Sequence, residues 1–490
     1  MIDFERLQQE ARARQATPAR PVEPLVFEEV ALDETQGTRS SRGASRVNTT
    51  IGWCLVAVAL LAAVPRGGNA PLAWLVLTFV SALLLITHLG LTWQLVPERR
   101  HPLRQHPWIA VPGVLVLAVI ALQLVPLGGW TWATLPEAVR PQTFTMTTGA
   151  TWLGAVRWAG YASFFATFLA VTRNARRQSR MLMVLFLGVA AHAVLGLALL
   201  GPLGDVSLFG EKTAYLGSAT GVFVNRNSFA TFLGMGLSLG VAAMRHLAAA
   251  PQTRVPAGRN SLTPRKIELI FLGIVLAIIA VTLLATSSRM GVFASFLGAA
   301  VTYALLDAKS GASKGRTAVR LLVVFGGLGL VLLVLSGQVV VQRALFASVS
   351  SEVRLELYRQ ILPMLRDHWL TGFGFDSFPL AFELYHQASL SPDLVWDRSH
   401  DTYLSNWVEL GLIGGSLPII VVAAGGLQSL ANLRRRSKAF AASAAACGAT
   451  VTVAVHSTVD FSLEMAGNDY LFLAILALGV VRFGHRGSGE

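Results

Sequence analysis

Three short segments hold residues whose types and spacing could do chemistry. In RSHDTYLSNW (398–407) a lone histidine, His400, stands where a polar stretch turns into an apolar run. In GVFVNRNSFATF (221–232) Arg226 is flanked by Asn225 and Asn227, and in ATSSRMGVFAS (285–295) Arg289 precedes another apolar run. Arginine holds phosphate through paired N–H bonds, and a neutral imidazole accepts a proton near pH 7. Fixed cations beside a base suit chemistry on an anionic substrate. Each segment opens an apolar helix, and a helix N-terminus offers free N–H groups and partial positive charge to an anion. Ser228, Ser287, Ser288 and Ser399 are placed to cap those helices. The same spacing also fits two interfacial arginine anchors and a polar residue at a helix start, so spacing alone leaves both readings open.

The elements that must position these residues are membrane spans. Of 490 residues, 53% are hydrophobic and 14% charged, where a soluble chain carries about 25% charged residues. Apolar runs of roughly 17–25 residues fit helices rather than barrel strands of about 10 alternating residues. The expected fold is all-α: a polytopic bundle of about twelve spans with one long loop containing short helices. The spans run roughly Thr49–Val64, Pro71–Trp93, Trp108–Leu127, Ala150–Val171, Met181–Leu200, Ser228–Leu247, Ile267–Thr286, Met290–Leu306, Leu321–Val341, Tyr403–Leu427, Ala439–Val459 and Tyr470–Val481. The expected organisation is a disordered cytoplasmic tail over 1–48, spans one to nine within 49–341, the long loop over 342–402, spans ten to twelve within 403–483, and a short tail over 484–490. The polar first 48 residues lack the apolar core of a signal peptide. Cys54 and Cys447 both fall in apolar runs, which argues against a disulfide framework.

Charge orients the bundle. With the N-terminus inside, 29 of the 40 Lys and Arg residues fall on cytoplasmic segments, and the positive-inside rule then places both termini in the cytoplasm. Orientation therefore explains the net charge of +13 without nucleic acid. All three segments above then face the outer side. Arg66, Arg140, Arg157, Arg226, Arg289, Arg343, Arg354, Arg359, Arg366, Arg398 and Lys212 lie against the rule, which raises the chance that some of them act on substrate. Arg157 sits about a turn and a half into the fourth span.

The long loop contains SEVRLELYRQILPMLRDHWLTGFGFDSF (351–378). Val353, Leu357, Ile361 and Leu365 recur at helical spacing, so its first part reads as a helix over the membrane mouth, with Arg354 and Arg359 off the apolar stripe. GFGFDSF is a glycine-punctuated turn. Asp367, Asp376, Asp393, Asp397 and Asp401 lack the spacing of a metal site and read as solvated loop acids. His192 stands alone within the fifth span. His456 and Asp460, four apart, are expected to face each other as a structural pair or as support for the site.

At these residues the chain resembles the O-antigen ligase and Wzy-type polymerase superfamily of bacterial inner-membrane glycan enzymes. The ligase signature reads His, a small polar residue, nine variable residues and Gly-x-x-Gly. It is similar here to His400, Asp401, the nine residues 402–410, Gly411 and Gly414. Asp401 stands where Asn, Ser or Gln is more usual. The Asn225-Arg226-Asn227 segment, the short Ser-Arg hairpin, Arg354 ahead of the DHWLTGFG turn and HSTVDF (456–461) also resemble the superfamily, over about Gly221 to Phe461. The resemblance implies a GT-C-like glycosyltransferase of the bacterial inner membrane. It would transfer a glycan from undecaprenyl diphosphate to an acceptor glycan or lipid A core at the periplasmic face. In it His400 is the base, and Arg226, Arg289, Arg354, Arg157, Asn225 and Asn227 are the candidate substrate-binding residues. No metal or cofactor is implied, and the lipid tail would lie in a groove open to the bilayer. A polymerase joining repeat units is the alternative within the class, and a flippase or anion transporter the alternative outside it.

Overall fold

The computed structural model describes residues 27–95, 101–133, 135, 137, 140–249, 263–309, 315, 352–393, 395–434 and 440–482. The expected ninth span, Leu321–Val341, lies outside the described residues, as do most of the N-terminal tail, residues 342–351 of the long loop and the C-terminal tail. The other eleven expected spans fall on helices, and there is no strand among the described residues.

The helices are α1 (Phe27–Leu61), α2 (Pro71–Leu95), α3 (Pro107–Gln123), α4 (Thr148–Val171), α5 (Ala175–Leu200), α6 (Arg226–Ala249), α7 (Pro264–Ala285) and α8 (Arg289–Lys309). In the long loop follow α9 (352–367) and α10 (Phe378–Glu383), and then α11 (Thr402–Arg434), α12 (Phe440–His456) and α13 (Ala466–Val480). Among the described residues seven helices are long and apolar enough to cross a membrane: α1, α2, α5, α6, α7, α8 and α11. The helices α3, α12 and α13 are apolar but shorter. One expectation differs. Residues 27–48, expected as disordered tail, are helical and continuous with the first span. Adding a residue to an existing helix costs far less than nucleating one, so the polar segment extends the apolar helix behind it.

The bundle centres on α6, which packs against α5, α7, α8 and α12. Small residues let the backbones meet. A side chain at Gly298 of α8 would meet the Gly448 carbonyl oxygen of α12 at 2.4 Å, the close approach that drives helix association where lipid offers no hydrophobic contrast. A second, smaller core lies in the loop. Leu357, Ile361 and Met364 of α9 are buried with Trp132, Phe373, Phe378, Phe382 and Val408. The helical stripe expected for α9 thus packs on protein, although Val353 at its start is exposed.

The glycine turn and the ligase-like glycines form one joint. Gly411 has φ +74° and ψ 169°, which breaks α11 between two and three turns from its start. The break frees backbone groups, and the turn after α9 takes them up. Phe373 N–H donates to the Val408 carbonyl at 2.9 Å, Gly374 N–H to that of Glu409 at 3.0 Å, and Leu412 N–H to that of Trp369 at 2.7 Å. Gln123, buried at the end of α3, clamps the joint. Its amide donates to the carbonyls of Thr371 (2.9 Å) and Glu409 (2.7 Å) and accepts from Phe375 N–H (3.0 Å). A Cβ at Gly411 would meet the Leu370 carbonyl oxygen at 2.1 Å, so only glycine fits both the left-handed backbone and the contact.

Candidate active site

The segment opening α6 is held from both sides. Asn225, rather than the expected Ser228, caps the helix: its Oδ1 accepts the Asn227 N–H at 2.8 Å. The Arg226 guanidinium lies over the Tyr215 ring, 5.3 Å from its centroid, and Nη1 donates to the Ser218 hydroxyl at 3.4 Å. Tyr215 takes a left-handed φ of +57° within a loop tied by the Lys212–Asp205 ion pair and by the Lys212 ammonium donating to the Ser218 carbonyl at 2.8 Å. The same loop joins the hairpin ahead of Arg289, because Ala219 N–H donates to the Ala285 carbonyl at 2.8 Å. Arg289 itself is exposed at the first residue of α8. Two residues on, a Cβ at Gly291 would lie 2.6 Å from the Ala230 side chain and 3.2 Å from the His456 ring. The starts of α6 and α8 therefore share one end of the bundle.

His400 reaches the same end from the loop. Its φ is +57°, a conformation a non-glycine residue holds only when its surroundings fix it. Three contacts do so. The Ser399 hydroxyl spans the residue, donating to the Asp401 carbonyl at 2.6 Å and accepting the Asp401 N–H at 3.2 Å. The Tyr358 hydroxyl of α9 donates to the His400 carbonyl at 3.1 Å. The imidazole packs edge-on against Phe461, 5.1 Å between centroids. Asp401 then caps α11, accepting the N–H groups of Tyr403 (2.8 Å) and Leu404 (3.0 Å). That accounts for the departure at this position, since Asp caps a helix as well as the Asn or Ser more usual there.

Burial, and then the nearby Arg354 charge, hold the His400 pKa below the usual 6.5, with Asp460 and Asp397 acting the other way. The imidazole is therefore neutral at pH 7 and able to accept a proton. Burial and then the Asp401 carboxylate push the Tyr358 hydroxyl up to about 12, so it remains a donor. Arg354 lies within electrostatic reach of His400, Tyr215, Tyr358 and His456 at once.

Asp460 and His456 do not pair with each other. Asp460, fully buried past the end of α12, accepts from the Asn227 amide at 2.9 Å and from the Ser462 hydroxyl. The His456 ring bonds the Thr231 hydroxyl through Nδ1 at 2.6 Å. The four-residue spacing is a helical one, but the helix stops at His456, and both residues turn to α6 instead. Thr402 closes the junction, its N–H donating to the Ser457 carbonyl and its hydroxyl to that of Asp460, each at 3.0 Å.

The structure thus brings Arg226, Asn227, Arg354 and His400 together, with Asn225 capping and Arg289 adjoining. Arg157 stands apart. It is buried in α4, pairs with Asp376 at 2.6 Å, and lies between the rings of Trp74 and Phe375. Tyr215, Ser218 and Tyr358 carried no signal in the sequence, because neither periodicity nor a motif marks a loop residue that folds back on a distant helix start. Among the described residues no group of three His, Cys, Asp or Glu side chains could hold a metal ion.

Residues 274–419 match the family model described as O-Antigen ligase. This match, over well under half of the chain, supports the O-antigen ligase superfamily. The ligase-type match runs from within α7, through α8 and the loop, to just past the break in α11, and it contains Arg289, Arg354, His400, Gly411 and Gly414. Arg226, Asn227 and Asp460 lie outside the matched stretch and join it only through the fold. No curated protein matches the chain. That superfamily comprises glycosyltransferase-like ligases and polymerases whose partners are in general a lipid-linked glycan and an acceptor, and the seven apolar helices suit a membrane protein.

Proposed function

We propose that the protein is an enzyme of the O-antigen ligase type that transfers a glycan from undecaprenyl diphosphate to an acceptor hydroxyl at the periplasmic face of the bacterial inner membrane, with twelve spans and both termini cytoplasmic. The observation that carries this reading is the neutral, conformationally fixed His400 beside Arg354, with Arg226 and Asn227 at a helix start. The reaction is a direct displacement with inversion at the anomeric carbon. The acceptor oxygen bonds the anomeric carbon as its proton passes to the His400 imidazole. The bond from that carbon to the diphosphate oxygen breaks, and the electron pair leaves with the diphosphate. Arg226, Arg289 and Arg354 take up the charge that develops there, which preorganised cations do best in a site shielded from water. Asn225 and Asn227 position Arg226. The lipid chain of the donor stays in the bilayer.

Purified protein supplied with lipid-linked glycan and acceptor, with no ion gradient, tests the reading. Product formation supports transfer, and movement of the donor across the membrane without a new glycosidic bond would instead mark a transporter. In a deletion strain, complete polymer left on its carrier marks a ligase and single repeat units mark a polymerase.

A further inference from the structure

Behind the His400 turn, on the far side of Thr402 and Ser457, lies a cleft of about 380 Å³ between α3, α4, α11, α12 and α13. Its walls are apolar, with Leu117, Val422 and Leu476 among them, but its end beneath the turn is not. There Arg157, Asp376, Glu409, Glu464 and Asp469 converge, with Arg398 bound to Glu464 at 2.7 Å. Four carboxyls thus face two guanidinium groups, and the charge of both cations is already balanced within the protein rather than left for a diphosphate. The arginines are engaged, Arg157 by Asp376 and Arg398 by Glu464.

The hydrogen bonding of this end is incomplete in a specific way. Arg157 is 6% exposed, and its Nη1 has no hydrogen-bond partner among the described residues. Oε1 of Glu464 and Oδ2 of Asp469 are also buried without one, although the hydroxyls of Ser405 and Tyr161 stand near them. A complementary head group must therefore offer an acceptor to Arg157 and donors to the carboxyls at the same time. Hydroxyl groups do both; a phosphate supplies acceptors alone and an ammonium donors alone.

From this we infer that the cleft seats the acceptor, an amphiphile with an uncharged, polyhydroxylated head and an apolar chain. The chain lies along α3, α11 and α13, and the head lies under the turn that carries the base. This rests on the reading of His400 as the base for transfer, and it divides the two substrates by charge, with the anionic donor at the arginines and the neutral acceptor at the acids.

Photolabelling of the full-length protein in phosphatidylcholine nanodiscs tests it, with dodecyl β-D-glucoside carrying a diazirine on the chain as probe. Label should map to cleft residues of α3, α11 and α13. Unlabelled dodecyl glucoside should compete about tenfold better than dodecyl phosphate, which leaves the carboxyls without donors. Leu473→Trp should abolish the label at an unchanged melting temperature, and Val114→Trp, on the opposite wall, serves the same purpose if the first variant does not fold. Equal or better competition by dodecyl phosphate, label elsewhere, or label retained in both tryptophan variants overturns the inference. Labelling of His400→Ala separates the two readings. Cleft label in a His400→Ala protein that still performs transfer at the parent rate defeats the assignment of His400 and leaves the cleft; transfer by the parent protein without cleft label defeats the cleft alone.

Discussion

Two polar regions meet at the His400 turn, and they are built in opposite ways. On the side of α6 and α8, cations stand at helix starts, and short, local devices order the backbone: the Asn225 cap at the start of α6, and the Ser399 bridge and Asp401 cap at the His400 turn. On the side of the cleft, acids outnumber arginines, and the groups come from α4, α11, α13 and two loops. The first region is open, with Arg289 exposed and Arg226 half-buried; the second is closed, with Arg157 and Glu409 buried. The difference bears on the roles proposed for the two regions. An exposed or half-buried arginine keeps water at part of its charge. A buried arginine must first be paired within the protein, as Arg157 is.

Four substitutions probe that contrast. The largest effect is expected at His400. His400→Ala should lower transfer by about 10²–10⁴-fold, the usual worth of a positioned base, while membrane insertion and melting temperature stay unchanged. Steady-state rates and a melting curve on the same sample decide it, and full activity would remove the base from this side. Next comes the cleft. Asp376→Asn strips Arg157 of its counter-charge and should cost about 3 kcal/mol of stability, the order seen when one partner of a buried pair is removed. Denaturation in detergent measures this, and a variant as stable as the parent would mean that the two regions do not differ in kind.

The smallest effect is a shift in the pH profile. Arg354 depresses the His400 pKa and Asp397 raises it. The base works above its pKa and is lost as pH falls through it. Arg354→Gln should therefore move the acidic limb of the rate profile to higher pH, and Asp397→Asn should move it to lower pH. Shifts of the same sign in both variants would break the electrostatic account of this side.

Much of this was legible in the sequence, and for a local reason. Apolar runs long enough to span predicted helices at eleven positions that the structure describes, and the stripe Leu357, Ile361 predicted the loop helix. The candidate base and the Arg226 segment were legible because each stands beside a helix start, a feature of a few consecutive residues. Some caps were misassigned among neighbouring polar residues, as with Ser228 for Asn225. Cap geometry depends on the exact backbone turn, and several side chains within three residues qualify. The position of Arg157 along its helix is readable from the sequence and its partner Asp376 is not, so only the structure sets it apart from the other candidate arginines.

The sequence by itself determined which stretches are helical, which residues open them, and the family to which the ligase-like spacing points, since all three depend on composition and order within short windows. The tertiary structure alone decided that Asn227 meets Asp460, that Arg157 meets Asp376, and that the carbonyls freed at Gly411 are taken by the turn after α9. Those contacts join residues far apart in the chain. They exist only because buried polar groups need partners, and packing settles which partners are within reach.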